Sequence, residues 1–230
     1  MVDEREVNEF FERWAGLHLA ALGHAANRDA LDLCPLGVPA RFYDAVAHPE
    51  LVRAYAAANA RAFPGPLALP GWVLADLYVM PGAVALLVDG TGAIAAAWCG
   101  VPTVVEGEVM GVSLFAEPAG RGAASVVKRL GLAMLRARTQ RGITQWTSRS
   151  LRAHTRLGAL DVLGPAPAVH GAAADSFVYR CRIGMEGGTP TETAPPHDGP
   201  ALAAAAAGGV RIQVVSPGLD AAGRLVIRRG

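Results

Sequence analysis

Residues 108–115 read EVMGVSLF and residues 116–124 read AEPAGRGAA, and after them an apolar helical pattern opens at Ser125. The first part alternates enough β-branched and apolar residues to be a strand, and the second is a loop of small residues. A helix start leaves backbone N–H groups unpaired and carries the positive end of the helix dipole, so it favours phosphate groups. Gly120, Gly122, Ala123 and Ala124 have little or no side chain, and a diphosphate can approach such a main chain closely. Arg121 in the loop, with Lys128 and Arg129 one turn on, would add positive charge. No Gly-Lys-Ser/Thr follows, so this is not a Walker loop, and the spacing departs from the dinucleotide GxGxxG fingerprint.

Upstream, the segments Val73–Met80, Ala83–Val88 and Ala93–Val105 are apolar and separated by turn residues at Pro81-Gly82 and Asp89-Gly90-Thr91-Gly92. With Glu108–Phe115 they predict an antiparallel meander. Downstream, Ser125–Gln140 is expected to be a helix stopped by Gly142, Ile143–Ser148 a short strand, Ser150–Leu157 a helix ended by Gly158, and Ser176–Ile183 a strand. Near the start, the spacing of Val7, Phe10, Phe11, Trp14, Leu17 and Leu22 predicts one amphipathic helix over 4–22. Residues 27–47 look irregular, and a second helix is expected from Pro49 to Ala62, where Pro49 suits a first turn and Pro64-Gly65-Pro66 a stop.

These elements predict an α/β fold with a mixed, mostly antiparallel sheet and helices on both faces. The expected organisation is one domain over 1–183, a Gly/Pro/Ala-rich linker over 184–209 of little fixed structure or with a turn or two of helix in its alanines, and a β-hairpin over 210–230. At 230 residues the chain is long enough to bury a core without disulfides or metal. Cys34, Cys99 and Cys181 form no CxxC unit and read as reduced thiols. No run approaches the length of a membrane helix, and the acidic start Met-Val-Asp-Glu-Arg-Glu is unlike a secretory signal. The expected compartment is the cytoplasm. His18, His24, His48, His154, His170 and His197 show no ligand spacing, so no metal is expected. No Gly-x-Ser-x-Gly elbow is present for a hydrolase.

The net charge of +1 conceals a segregation. From Arg121 to Arg182 there are eleven basic residues against Asp161 and Asp175, and the remainder of the chain carries a net charge of −8. All but Lys128 of the 21 basic residues are arginine, whose planar fork suits phosphate and carboxylate. Such a block points to an anionic ligand or stands as a solvated face. Nucleic acid is disfavoured, because no aromatic platform or recognition-helix pattern accompanies it.

The order of elements over residues 73–183 resembles the GNAT superfamily of N-acetyltransferases. The most specific part is Val112-Ser113-Leu114-Phe115 running into Gly120-Arg121-Gly122-Ala123-Ala124, where Gly122 and Ala124 match the family's Gln/Arg-x-x-Gly-x-Gly/Ala and Ala119 replaces the Gln or Arg. Further on, His154 and Ala159 flank Gly158 in place of the family's Tyr-x-x-x-Gly-Phe. The resemblance implies acetyl-CoA or another acyl-CoA as co-substrate, with the diphosphate on residues 119–124 and the pantetheine arm bonded by the backbone of Leu114 and Phe115 between two diverging strands. It implies residues 1–72 on the acceptor side and residues 73–183 as the acyl-CoA core.

Two residues are candidates for the chemistry. Glu108, fourteen residues before Gly122, stands where histone acetyltransferase members carry a glutamate base; as a bare residue it is equally a strand-edge carboxylate. His154 takes the place of a tyrosine that protonates the departing thiolate; it is equally an ordinary half-buried histidine. The implied reaction is direct acyl transfer to a small-molecule amine. Two other readings stay open: an assembly-line domain acting on an acidic acyl carrier protein, by S-acyl transfer or decarboxylation, and a non-catalytic acyl-CoA-binding module. A homodimer is an arrangement the sequence leaves open.

Overall fold

The computed structural model describes residues 4–63, 65, 68–69, 71, 82–118, 122–167, 175–185 and 187–230. The chain divides into two compact units, Val2–Ala137 and Arg138–Gly230 (the latter with Met1), so the division falls at 137/138. The expected strand Val73–Met80 lies outside the described residues.

In the first unit, α1 (Glu4–Arg13) leads to β1 (His18–Gly23), two short 3-10 turns, β2 (Ala40–Asp44) and α2 (Pro49–Ala62). Then come β3 (Ala83–Val88), β4 (Ile94–Pro102), β5 (Glu108–Ala116) and α3 (Ala123–Met134). The strands lie in the order β2-β1-β3-β4-β5. β1 runs parallel to β2, and the other neighbours are antiparallel. The fold class is thus α/β with a mixed, mostly antiparallel sheet.

The helices flank both faces of these strands. Ala20, Leu22, Val84, Leu86, Cys99 and Phe115 alternate onto one face and bury against Val52, Tyr55 and Ala58 of α2. Ala85 and Trp98 point the other way, against Gly131 of α3. Helix α2 forms where expected because Pro49 sits in its first turn and Val52, Tyr55, Ala58 and Asn59 repeat at helical spacing into the core.

The helix expected over 4–22 ends at Arg13. Residues His18–Gly23 form a strand instead, with Leu19 to Leu22 all buried. A continuous apolar run suits a strand covered on both faces as well as a helix, and pairing with β2 and β3 decides it. Part of the stretch expected to be irregular is β2, a five-residue outer strand.

Helix α3 starts two residues earlier than expected and ends at Met134. Arg136 adopts φ 51°, with its N–H donating to the Ala133 carbonyl and the Ala137 N–H to that of Leu132, a left-handed helix stop without glycine.

In the second unit, β6 (Thr139–Gln145), α4 (Leu151–Thr155), β7 (Leu160–Pro165) and β8 (Ser176–Arg182) precede β9 (Glu192–Ala194), α5 (Gly199–Ala207), β10 (Ile212–Leu219) and β11 (Leu225–Arg229). Their order is β6-β8-β7-β10-β11-β9, antiparallel throughout. Gly142, read as a stop, lies within β6 beneath the Tyr179 ring, where a Cβ would meet the phenol oxygen at 2.6 Å. The segment expected to be a linker of little fixed structure contains β9 and α5. Leu202 and Ala203 of α5 are buried, so this stretch carries apolar cover that its Gly/Pro/Ala composition did not betray. The terminal hairpin β10–β11 is paired on both sides, with β7 and β9, which supplies the support a lone hairpin lacks.

Among the described residues no helix is long and apolar enough to cross a membrane.

Candidate functional site

Strand β5 is the last strand of the first unit, and its pairing with β4 slips once. Cys99 faces Ser113, but the next pair is Gly100 with Gly111, so Val112 is the extra residue of a bulge. A bulge bends a strand and re-aims the side chains beyond it. Past it, Leu114 faces Trp98 and is half-buried, while Phe115 packs into the core against Tyr55 and Phe63. The Phe115 ring is therefore committed to the interior, and what Phe115 can offer a ligand is its main chain.

The strand runs through Glu117 toward α3. Ala119, Gly120 and Arg121 lie outside the described residues. Gly122 is the N-cap of α3 at φ 81° and ψ −12°, a left-handed conformation that favours glycine. A Cβ there would meet nothing within 4 Å, so the requirement is conformational and the space beside it is open. Ala123 and Ala124 fill the first turn, and no side chain caps the helix. The Ser125 and Val126 amides donate to the Gly122 carbonyl. The result is a twelve-residue helix whose start is lined by small residues and uncovered by any side-chain cap, which fits a diphosphate.

Two of the cationic side chains offered by the sequence, Lys128 and Arg129, are taken into the interior. Lys128 is fully buried, and Arg129 is buried and paired with Glu6 of α1. Neither supplies an exposed charge at the start of the helix.

Glu108 opens β5 and is 4% exposed. The Thr103 hydroxyl lies 3.2 Å from its Oε1. It belongs to the same unit as Leu114, Phe115, Gly122, Ala123 and Ala124, at the opposite end of β5 from the loop, roughly 25 Å along an extended chain. His154 belongs to the second unit. It is buried on α4, with Nδ1 3.1 Å from the Tyr179 hydroxyl and the two rings 5.2 Å apart. Burial, reinforced by the neighbouring Cys181, holds the Tyr179 phenol well above its ordinary value, so it keeps its proton.

Sequence reasoning had no means of finding the polar knot beneath α2. The buried Asn59 amide donates to Ser113 Oγ at 2.9 Å, and its carbonyl accepts from the Leu69 N–H at 2.7 Å. Tyr55 and Cys99 lie beside it, and burial pushes both upward, the Cys99 thiol to about 12. Nor did it find Tyr179 as the partner of His154, because their contact joins residues 25 positions apart. Among the described residues, no group of three His, Cys, Asp or Glu gathers as a metal centre would require.

No family model matches the chain, and no curated protein matches it. Solved structures do. One is a protein from Lactobacillus plantarum assigned to the N-acetyltransferases, with 13% identity, a TM-score of 0.47, and coverage of 73% of this chain and 99% of that one. Another is the ribosomal-protein-S18-alanine N-acetyltransferase from Escherichia coli, with 15% identity, a TM-score of 0.44, and coverage of 61% and 93%. A third, from Salmonella typhimurium, is assigned as an acetyltransferase and was solved with its cofactor acetyl-CoA; identity is 18%, the TM-score 0.43, and coverage 66% and 96%.

Proposed function

We propose that this chain is a GNAT-type acyltransferase that moves an acetyl or longer acyl group from coenzyme A to the amine of a small molecule. The observation that carries the proposal is the unit formed by bulged β5, left-handed Gly122 and the uncapped start of α3. The main chain beyond the bulge offers hydrogen-bonding groups to an amide-bearing tether, and the helix start offers amides and a positive dipole to its diphosphate.

In this reading Glu108 takes a proton from the ammonium form of the acceptor. The freed nitrogen lone pair attacks the thioester carbonyl carbon. The carbon–sulfur bond then breaks, sulfur leaves with the bonding pair, and the second proton shed by the nitrogen passes to the sulfur. The products are the amide and the free thiol. An amine of pKa near 10 is mostly protonated at neutral pH, which is why a base is needed. The Tyr179 hydroxyl against His154 Nδ1 fixes the imidazole's orientation.

The test is turnover of acetyl-CoA and longer acyl-CoAs over a panel of amines, read as free thiol released and amide formed. Amine-dependent thiol release supports the proposal. No release with any acyl-CoA, together with no thermal shift on adding coenzyme A, would end it.

A carrier-protein donor is a second reading, favoured by the exposed Arg149, Arg152 and Arg156 at and around α4. A donor presented by an acidic protein would dock on such a stripe. Consumption of the acyl-carrier-protein thioester with acyl-CoA left untouched would select it.

A further inference from the structure

We propose that Arg61 is a positioning residue for acyl-CoA binding, keeping the Glu117 side chain off the start of α3 that the diphosphate would occupy; this rests on the reading of that helix start as the diphosphate site. The last turn of α2 lies along the second half of β5. The Asn59 amide donates to Ser113 Oγ at 2.9 Å, and the Phe63 ring meets Phe115 edge-on with centroids 6.3 Å apart. Arg61 then reaches Glu117, the residue that follows β5. It is therefore delivered to its partner from a helix already fixed on that strand.

The contact has two points. Arg61 Nε and Nη2 donate to Glu117 Oε2 at 3.3 and 3.1 Å. The Glu117 main chain is held as well, its N–H donating to the Ala95 carbonyl at 2.8 Å. Glu117 stands five residues before Gly122, and the helix that begins there has no side-chain cap. Open amides and a positive dipole end attract a carboxylate as they attract a phosphate. A glutamate so close along the chain is a competitor for the helix start and a like charge set against an arriving diphosphate. Pairing with Arg61 answers both, since the side chain is held at α2 and its charge is balanced. The two side chains are 60% and 37% exposed, and an ion pair so open to water adds little to stability, so its loss should show in binding rather than in unfolding.

The experiment measures coenzyme A binding to the full chain by isothermal titration calorimetry at low and high salt. At low salt Arg61→Gln should raise Kd about fourfold, the scale of one exposed charge acting on a nearby diphosphate. The deficit should vanish at about 1 M salt, where exposed charges are screened beyond roughly 3 Å. Arg61→Lys, which keeps the charge, should bind within about twofold of the unmodified chain. Adding Glu117→Gln to Arg61→Gln should restore Kd to within about twofold, because the charge that Arg61 restrains is then gone. A merely structural role for Arg61 would leave the double variant as weak as the single one. Unchanged Kd in Arg61→Gln at low salt overturns the proposal, as does a loss that persists at high salt or that Glu117→Gln fails to rescue. Absence of coenzyme A binding by the unmodified chain instead overturns the diphosphate reading on which this role stands.

Discussion

Gly122, at the N-cap of α3, is constrained by its backbone conformation rather than by its neighbours. Its φ of 81° lies in the left-handed region, where an added Cβ costs about 1–2 kcal/mol even in open space. Gly122→Ala should therefore lower the midpoint of urea unfolding by an amount in that range and raise KM for acyl-CoA more than it lowers kcat. Gly131 makes the contrasting case. Alanine in mid-helix ordinarily gains about 1 kcal/mol over glycine, but here a Cβ would run into the Trp98 ring, which is already pressed on Gly100. Overpacking costs about 1–3 kcal/mol, so Gly131→Ala should lower the thermal midpoint, and Trp98→Leu should relieve most of that loss. Gly122 could be read from its place before a helix. The buried state of Lys128 and the pairing of Arg129 with Glu6 could not, because a helix pattern does not say what will lie across from each charged side chain.

The elements were legible in proportion to how local their causes are. Helix α2 has its proline, its apolar spacing and its stop within its own residues, and its predicted bounds coincide with the observed ones. Strand β1 does not: its apolar run suits helix or strand, and only β2 and β3 on either side settle the choice. Strand β6 is similar. Its TQRGITQ sequence has weak strand character, and its Gly142 reads as a breaker until the Tyr179 ring is placed over it. Between elements, the Asn59 knot joins α2 to β5 and to the segment holding Leu69. Asn59→Ala leaves the Ser113 hydroxyl and the Leu69 amide without that partner in a buried setting, at a cost of about 1–3 kcal/mol. The urea midpoint should fall with no change in slope, which equilibrium unfolding followed by circular dichroism will show.

Across the whole chain, buried acidic hydrogens set a limit on stability in alkali. Burial moves the Cys99 thiol from its ordinary 9.0 to about 12, and Tyr55 and Tyr179 shift in the same direction. The folded chain therefore holds protons that the unfolded chain releases. The contribution from Cys99 is complete below pH 9 and is lost as pH rises toward 12. Unfolding free energy should decline between pH 9 and about pH 12, and Cys99→Ala should flatten part of that decline; an unchanged slope would show that the thiol does not take part. None of this was visible in a sequence that shows only three scattered cysteines. The segregation of charge was visible, since it needs only counting, yet the exposed arginines around α4 became a surface only once Leu151 and His154 were seen to be buried on the same turn. Over 184–209 the alanine run allowed a turn or two of helix, but its extent was hidden for a similar reason: an alanine-rich helix has no pattern of its own, and its order comes from what it covers.

Trp146 gives that covering helix an optical signal. Of the chain's four tryptophans it is the one within Arg138–Gly230, stacked on Phe177 with ring centroids 3.8 Å apart and closed off by Gly199 at the start of α5. With Trp14, Trp72 and Trp98 replaced by phenylalanine, the remaining emission would be blue-shifted while α5 is seated and would move to the red when it lifts away. Fluorescence would then time the fraying of the C-terminal helix separately from the melting of the first unit.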